Sequence, residues 1–401
     1  MSHPRITRVE TAAVRVVGPC LVVRLWAGDT YGLGECYPSA PVAAVDAIVR
    51  ALTEQLVGED PRDVHRLAEK MRRWNIFTGG QGGTVVTAIS GLEMALWDLA
   101  GKLHGVPVYQ LFGGAFRKKV RLYADCNAGT VDAAAHHLTE LPDPTTPEGR
   151  AHFKAVADRA LGMGFTALKF DVDDVYGSLR DDDWNRTLNR RQIDRMVGQV
   201  EAIRAAIGDE VALAIDMHAR FDVPSAIKAA RALEPFDLMW LEEPVPPENL
   251  AALAEVRRST AVPICAGENL YTRFPFLDIF RVGAVDVVMP DIAKFGGLAE
   301  GRRVAELAEL HYLPFAPHNV SGPIGTVAAA HLCAAQSNFT VLEYHALDLD
   351  FFEDLVTYAG GTVVTDGHVV LTDAPGYGID VNEDALRRHE HVKAGIGVFA
   401  R

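Results

Sequence analysis

The chain has 401 residues, with 39 Lys+Arg against 53 Asp+Glu, a formal net charge of −14 with histidine neutral; that balance disfavours a nucleic-acid or anionic-membrane surface. A composition 49% hydrophobic and 23% charged is that of a globular protein with a sizeable core, not of a disordered or fibrous chain. At roughly 150 residues per domain the length suggests two or three domains, although an α/β barrel commonly runs to about 250 residues as one unit.

The first residues, MSHPRITRVETAAV, lack a basic segment followed by an apolar stretch, and no run approaches ~18 uncharged apolar residues, so secretion and membrane spanning are not expected. Residues 4 to 37 alternate apolar and polar side chains around turn signals at Gly18-Pro19 and Gly28-Asp29, which predicts an antiparallel meander. Residues 41 to 75 and 84 to 105 carry helical periodicity, clearest in Ile89, Leu92, Leu96, Leu99 and Leu103. Residues 1–117 thus read as a small α+β domain. The five cysteines, Cys20, Cys36, Cys126, Cys265 and Cys333, are scattered without a CxxC pair and read as reduced thiols of a cytoplasmic protein.

After Arg117-Lys118-Lys119 short apolar or β-branched runs alternate with longer helical stretches, the pattern of parallel βα units. Eight strands are expected: 120–126, 166–172, 211–217, 237–243, 262–268, 285–291, 313–318 and 339–344. Eight favours closure into a barrel over residues 118–350, and nearly every run ends in a polar or ionisable residue. In such barrels the C-terminal strand ends converge on the active-site face. Residues 351–401 read as a strand pair plus a short helix that packs back on the N-terminal domain.

Asp216, Glu242 and Glu268 end three consecutive strands, each 26 residues after the last. Three carboxylates in one place repel one another, and a hard divalent cation with oxygen ligands, Mg2+, is the natural remedy. Singly, each could instead cap the helix that follows it. Asp291 and His318 end the sixth and seventh strands, where a carboxylate can orient an imidazole as a general base. Lys169 and Asp171 share a face by the period of two; Lys169 could neutralise a substrate carboxylate, or the oxyanion formed from it, or make a salt bridge within the barrel. His218 and Arg220 follow Asp216 in the run DMHARF. His218 could donate a proton to a leaving hydroxyl or merely hydrogen-bond a metal ligand. Glu343, ending the eighth strand, would be a donor if protonated and otherwise an acceptor for substrate hydroxyls.

At these residues the sequence resembles the enolase superfamily, specifically its mandelate racemase group. The motifs are AISGLEMALWDLAGKLHGVPVYQLFGG, LKFD, IDMHARF, LEEP, AGEN, MPDIAKFGG, FAPHNVSGP and VLEY, which follow the family order along nearly the whole chain. The resemblance implies an α/β fold, a modified TIM barrel of (β/α)7β form with an α+β capping domain. It also implies Mg2+ on Asp216, Glu242 and Glu268 and abstraction of the proton α to a carboxylate. Lys169 matches the carboxylate-binding lysine, Asp291 with His318 the His-Asp base, and Glu343 the acid beside the carboxylate. A Lys or His base with Mg2+ is the scheme generally associated with this superfamily.

Two departures sort the subclass. Racemases of the group carry a second lysine at the position of Asp171, so one-sided chemistry is expected here, with Asp171 and Arg220 as substrate contacts. The runs D-x-H-x-R-F and P-H-N resemble acid-sugar dehydratases acting on galactonate, gluconate or arabinonate, in which the His matching His218 protonates the departing 3-hydroxyl. The expected function is therefore a Mg2+-dependent hydro-lyase giving a 2-keto-3-deoxy sugar acid, with a racemase or epimerase, or a non-catalytic metal-binding barrel, as alternatives. The expected partner is a small acid sugar, with neither nucleic acid nor membrane, and the resemblance suggests a homo-oligomer such as an octamer. The segments 17–20 and 74–83 are the two candidate capping loops over the substrate.

Overall fold

The computed structural model describes residues 4–38, 41–126, 131–132, 137–138, 142–173 and 185–399. Contacts divide the chain into two compact units. One comprises Met1–Arg121, Leu270–Phe276 and Pro290–Arg401; the other comprises Leu122–Asn269 and Leu277–Met289.

In the first unit the expected meander is β1 (Ile6–Arg15), β2 (Pro19–Ala27) and β3 (Thr30–Cys36), paired antiparallel in sequence order. The helical stretch predicted at 41 to 75 is two helices, α1 (Val42–Leu56) and α2 (Val64–Trp74), because Gly58 at φ 85° and Pro61 interrupt it. Helix α3 (Gly83–His104) is buried from Val86 to Gly101 and lies against β3 at backbone distance. A Cβ on Gly34 would fall 2.0 Å from the Gly91 carbonyl oxygen, and one on Gly32 2.1 Å from that of Ala95. Glycine at both positions is what lets helix and sheet approach. In the C-terminal part Thr357 lies opposite Asp380, His368–Val370 pairs with Lys119–Arg121, and Val14 bridges Glu390.

The second unit holds a parallel sheet. Strand β4 (Lys119–Asp125, whose first three residues belong to the first unit) is followed by β5 (Ala167–Asp171), β6 (Ala212–Asp216), β7 (Trp240–Glu242), β8 (Ile264–Ala266) and β9 (Val287–Val288), each paired with the next. Between them run α4 (Pro147–Gly162), α5 (Arg190–Ile207), α6 (Val223–Leu233) and α7 (Leu250–Arg258). Each starts on its own side-chain cap, from Thr146, Asn189, Asp222 and Asn249 in turn. The strands are buried along nearly their whole length, as apolar parallel strands covered by helices should be. This is the βα alternation of a modified TIM barrel, and the meander with α1 to α3 is its α+β capping domain.

Most of the expected strands are shorter than predicted, and two of them for evident local reasons. Gly267 at φ 139° turns the chain after Ala266, so Glu268 lies beyond the ladder. The run 313–318 contains Pro314 and Pro317, which lack N–H donors, and its pairing reduces to single bridges, Phe315 with Phe339 and Asp291 with His318. Among the described residues no helix is long and apolar enough to cross a membrane.

Candidate active site

In the parallel sheet the register sets Asp171 beside Asp216 and Asp216 beside Glu242. Lys169, only 2% exposed, places Nζ 3.1 Å from Asp216 Oδ2 and 2.9 Å from Glu242 Oε1. The second oxygen of Glu242 accepts from Trp240 Nε1 at 3.0 Å. Glu268 is tied to this group through Asn269, whose Nδ2 donates to Glu268 Oε1 at 2.8 Å and to Glu243 Oε2 at 2.7 Å. Burial, and then the charge of Glu268, push the Glu243 carboxyl up to about 7.

After β6 the chain turns through His218 (φ 45°) and Ala219 (φ 56°), and after β7 through Glu243 (φ 34°). These left-handed residues are linked by Ala219 N–H donating to Glu243 O at 2.6 Å; such conformations cost of order 1–3 kcal/mol each and cluster at functional sites. His218 Nδ1 lies 3.2 Å from Asp173 Oδ2, and Nε2 lies 3.7 Å from Asp216 Oδ2 and 4.0 Å from Asp171 Oδ1. Desolvation opposes the imidazolium, but Asp216, Asp173 and Asp171 together raise the His218 pKa well above its ordinary value. Arg220 pairs with buried Asp173. Asp171 is pushed up to about 8, mainly by burial, with Asp125, Asp216 and Asp173 adding to the effect against the pull of His218.

Among the described residues this arrangement brings Asp125, Asp171, Asp173, Asp216, Glu242, Glu243 and Glu268 together with Lys169, Arg220 and His218. Ligating atoms of Asp171, Asp216 and His218 lie within 4.8 Å of one another. An oxygen-rich donor set with surplus negative charge, its Asp171, Asp216 and Glu242 carboxylates buried, fits a hard divalent cation.

In the first unit His318 Nδ1 is 2.6 Å from Asp291 Oδ2, both residues being buried. The other ring nitrogen, Nε2, lies 3.5 Å from Glu343 Oε2, which also accepts from Asn319 N–H at 2.9 Å. The ring of Tyr37 stands 6.1 Å from that of His318, and Lys294 Nζ lies 4.9 Å over the Tyr37 ring. Within this unit segment 74–83 reaches Tyr271, to whose ring a Cβ on Gly82 would come within 3.5 Å.

The structure thus groups Lys169, Asp171, Asp216, His218, Arg220 and Glu242 in one set, with Glu268 joined through Asn269, and Asp291, His318 and Glu343 in another. Residues that the sequence reading left without a role are Asp173, Glu243 and Asn269 in the first set and Tyr37 and Asn319 in the second. Glu243, Asn269 and Asn319 stand inside the LEEP, AGEN and PHN runs, so the signal was present; Asp173 and Tyr37 carry no such mark.

Comparison with known proteins places these residues in a family. Residues 5–113 match the mandelate racemase / muconate lactonizing enzyme N-terminal domain, and residues 152–385 match the enolase C-terminal domain-like family. D-xylonate dehydratase of Haloferax volcanii is 39% identical over 385 residues, covering 96% of this chain and 88% of that protein. D-galactonate dehydratase of Xanthomonas oryzae pv. oryzae is 31% identical over 389 residues, covering 96% and 94%. The crystal structure of a mandelate racemase/muconate lactonizing enzyme-like protein from Rubrobacter xylanophilus matches with a TM-score of 0.95 and 62% identity over 100% of both chains. With both domain models matched in order and two relatives aligned over nearly its whole length, this chain belongs to the enolase superfamily, in its mandelate racemase / muconate lactonizing enzyme group.

Proposed function

We propose that the protein is a Mg2+-dependent acid-sugar dehydratase, which removes the proton α to a sugar acid's carboxylate and eliminates the 3-hydroxyl to leave a 2-keto-3-deoxy acid. The observation that carries this reading is the buried His318–Asp291 pair. A carboxylate 2.6 Å from Nδ1 fixes the ring's orientation and leaves Nε2 to accept a proton. The names of the two dehydratase relatives support sugar acids as the substrate class.

A carboxylate's α-proton is too weakly acidic for an unaided imidazole, so charge developing on the carboxylate must be met as it forms. Asp216, Glu242 and Glu268 would hold Mg2+, which when bound supplies electrostatic stabilisation of that charge. Lys169 already neutralises Asp216 and Glu242, and its ammonium is the positive group this chain itself offers to a substrate carboxylate. Glu343 holds the loop at Asn319 by accepting its N–H, and in its protonated form it would donate its O–H to the substrate carboxylate. His218, surrounded by carboxylates that favour its protonated form, gives its proton to the leaving 3-hydroxyl. The enol so formed tautomerises to the 2-keto product. Asp171 and Arg220 contact substrate hydroxyls.

The test is a panel of five- and six-carbon sugar acids, including D-xylonate and D-galactonate, scored for 2-keto-3-deoxy product with Mg2+ or with chelator. His218→Asn is then followed on the best substrate in deuterated water. It should keep α-proton exchange while product formation slows by ~10²- to 10⁴-fold, the usual worth of a positioned general acid. Exchange without loss of water in the unaltered protein would make it a racemase or epimerase, and full turnover in excess chelator would remove the metal.

A further inference from the structure

Glu35, on β3, has no part in the chemistry above. It is 1% exposed, and its two carboxylate oxygens accept from Gly322 N–H at 2.5 Å and Gly325 N–H at 3.0 Å. These amides open α8 (Pro323–Ala334), a helix with no side-chain cap from its own sequence. Four amides at a helix start have no partner within the helix, and a carboxylate there is favoured by the dipole as well. Contact is close enough that a Cβ on Gly322 would stand 3.0 and 3.1 Å from the two Glu35 oxygens.

Gly322 lies four residues after His318, so the segment Glu35 grips is the far end of the loop that carries the imidazole. Two residues beyond Glu35, Tyr37 N–H donates to Ala293 O at 3.2 Å, two residues after Asp291, and the Tyr37 ring flanks that of His318. The same edge of the meander is therefore tied to both segments that bear the His318–Asp291 pair. We propose that Glu35 is a positioning residue for that pair: by holding the first amides of α8 it fixes the His318–Gly322 loop and hence the place of the imidazole. The inference rests on the reading that His318 takes the α-proton.

Around Glu35 the titratable groups are the Cys20 thiol on β2, which hydrogen-bonds it, Cys36 beside it, and Asp291. The remaining wall is an apolar cavity that includes Val16, Val22, Ile324 and Leu386. Burial pushes the Glu35 carboxyl up to about 7, the Gly325 and Gly322 amides and Cys20 pull against it, and Asp291 adds to the rise. Protonation turns an acceptor into a donor facing an amide donor. The grip on the loop should therefore loosen as pH falls through about 7.

Glu35→Gln and Glu35→Asp would be compared with the unaltered enzyme by α-proton exchange of a processed sugar acid in deuterated water across that pH range. Melting temperature and Mg2+ affinity by calorimetry would accompany them. Glu35→Gln, folded and binding Mg2+ normally, should keep KM within about threefold and lose about 10- to 10²-fold in kcat for exchange, the scale on which small misplacements of a catalytic group register. Its rate should also fall less steeply towards acid, by one proton, because position 35 then no longer titrates. Glu35→Asp, which keeps the charge but reaches less far, should recover part of the loss. An unchanged kcat and acid limb in folded Glu35→Gln, or a loss that merely tracks the unfolded fraction, would overturn the inference. Exchange surviving in His318→Asn would instead overturn the assignment of the base, and this inference with it.

Discussion

Replacing Lys169 by Met removes an ammonium that Asp216 and Glu242 share. At 2.9 and 3.1 Å each contact is worth on the order of 5 kcal/mol of attraction at an effective dielectric of 20, and most of this offsets the desolvation of three buried charges. What a variant exposes is the other side of that balance: two buried carboxylates that lose the ammonium they share, and breaking a buried pair by removing one partner costs about 3–5 kcal/mol. Lys169→Met should therefore melt well below the unaltered protein in chelator, and Mg2+ should raise its melting temperature more than it raises that of the unaltered protein. The double variant Lys169→Met/Glu242→Gln removes a carboxylate as well as the ammonium and should recover more than about 2 kcal/mol of the loss, a coupling readable in a double-mutant cycle. Thermal unfolding of the four proteins with chelator and with Mg2+ is the assay. Additive losses in the cycle, or a single variant that melts like the unaltered protein in chelator, would show that Lys169 is not the counter-charge of this cluster.

His318→Asn should abolish both α-proton exchange and dehydration, measured as deuterium uptake and keto-acid formation. Asp291→Asn should cost less, because it disorients the ring without removing it. Burial pushes Glu93, which also accepts from the Leu298 and Ala299 amides and from Trp97, up to about 7 from the ordinary 4.5 of a free glutamate. The folded state then holds a proton that the unfolded state has released, so this group's contribution to stability is present below pH 4.5 and is lost as pH rises to about 7, amounting to about 3 kcal/mol at most. Glu93→Gln should flatten melting temperature against pH across that window, and an unchanged slope would contradict the shift. Gly34→Ala drives a methyl into the Gly91 carbonyl and should cost about 3 kcal/mol or more. Gly28→Ala meets open space and should cost about 1 kcal/mol, for its positive φ alone; comparable melting losses in the two would refute the packing argument.

The periodicity of strands and helices was legible because it repeats: apolar runs that end in Asp216 and Glu242 fall on adjacent strands, and the ladder pairs those two residues directly. Glu268 keeps the same spacing in sequence but not the same register, since Glu242 pairs with Cys265 and the chain leaves the ladder at Gly267. Spacing could place Lys169 and Asp171 on one face, but not decide which cation serves which carboxylate. That choice depends on reach in space, and Lys169 Nζ reaches the neighbouring strands. Glu35 and Glu93 were illegible for a different reason. The helix starts they hold offer them backbone amides 287, 290, 205 and 206 residues away, and an amide carries no side-chain signature.

Those two glutamates also explain a difference in how the helices begin. In the second unit α4 to α7 are capped by their own Thr, Asn or Asp, so each can start its first turn from local sequence. The helices that follow Asp291 and His318, namely Leu298–Leu310 and α8, open on Gly297 and Gly322 with no side-chain cap of their own. Their first amides are satisfied by Glu93 from α3 and Glu35 from β3. Glycine at the cap leaves room for a carboxylate from elsewhere: a Cβ on Gly297 would stand 2.1 Å from Glu93 Oε2. A local cap would fix the helix start relative to its own loop, whereas a remote one fixes it relative to the meander and α3. The segments bearing the proposed base are thus anchored to the N-terminal elements of their own unit, and a change in those elements reaches His318 through two hydrogen-bonded carboxylates without touching it.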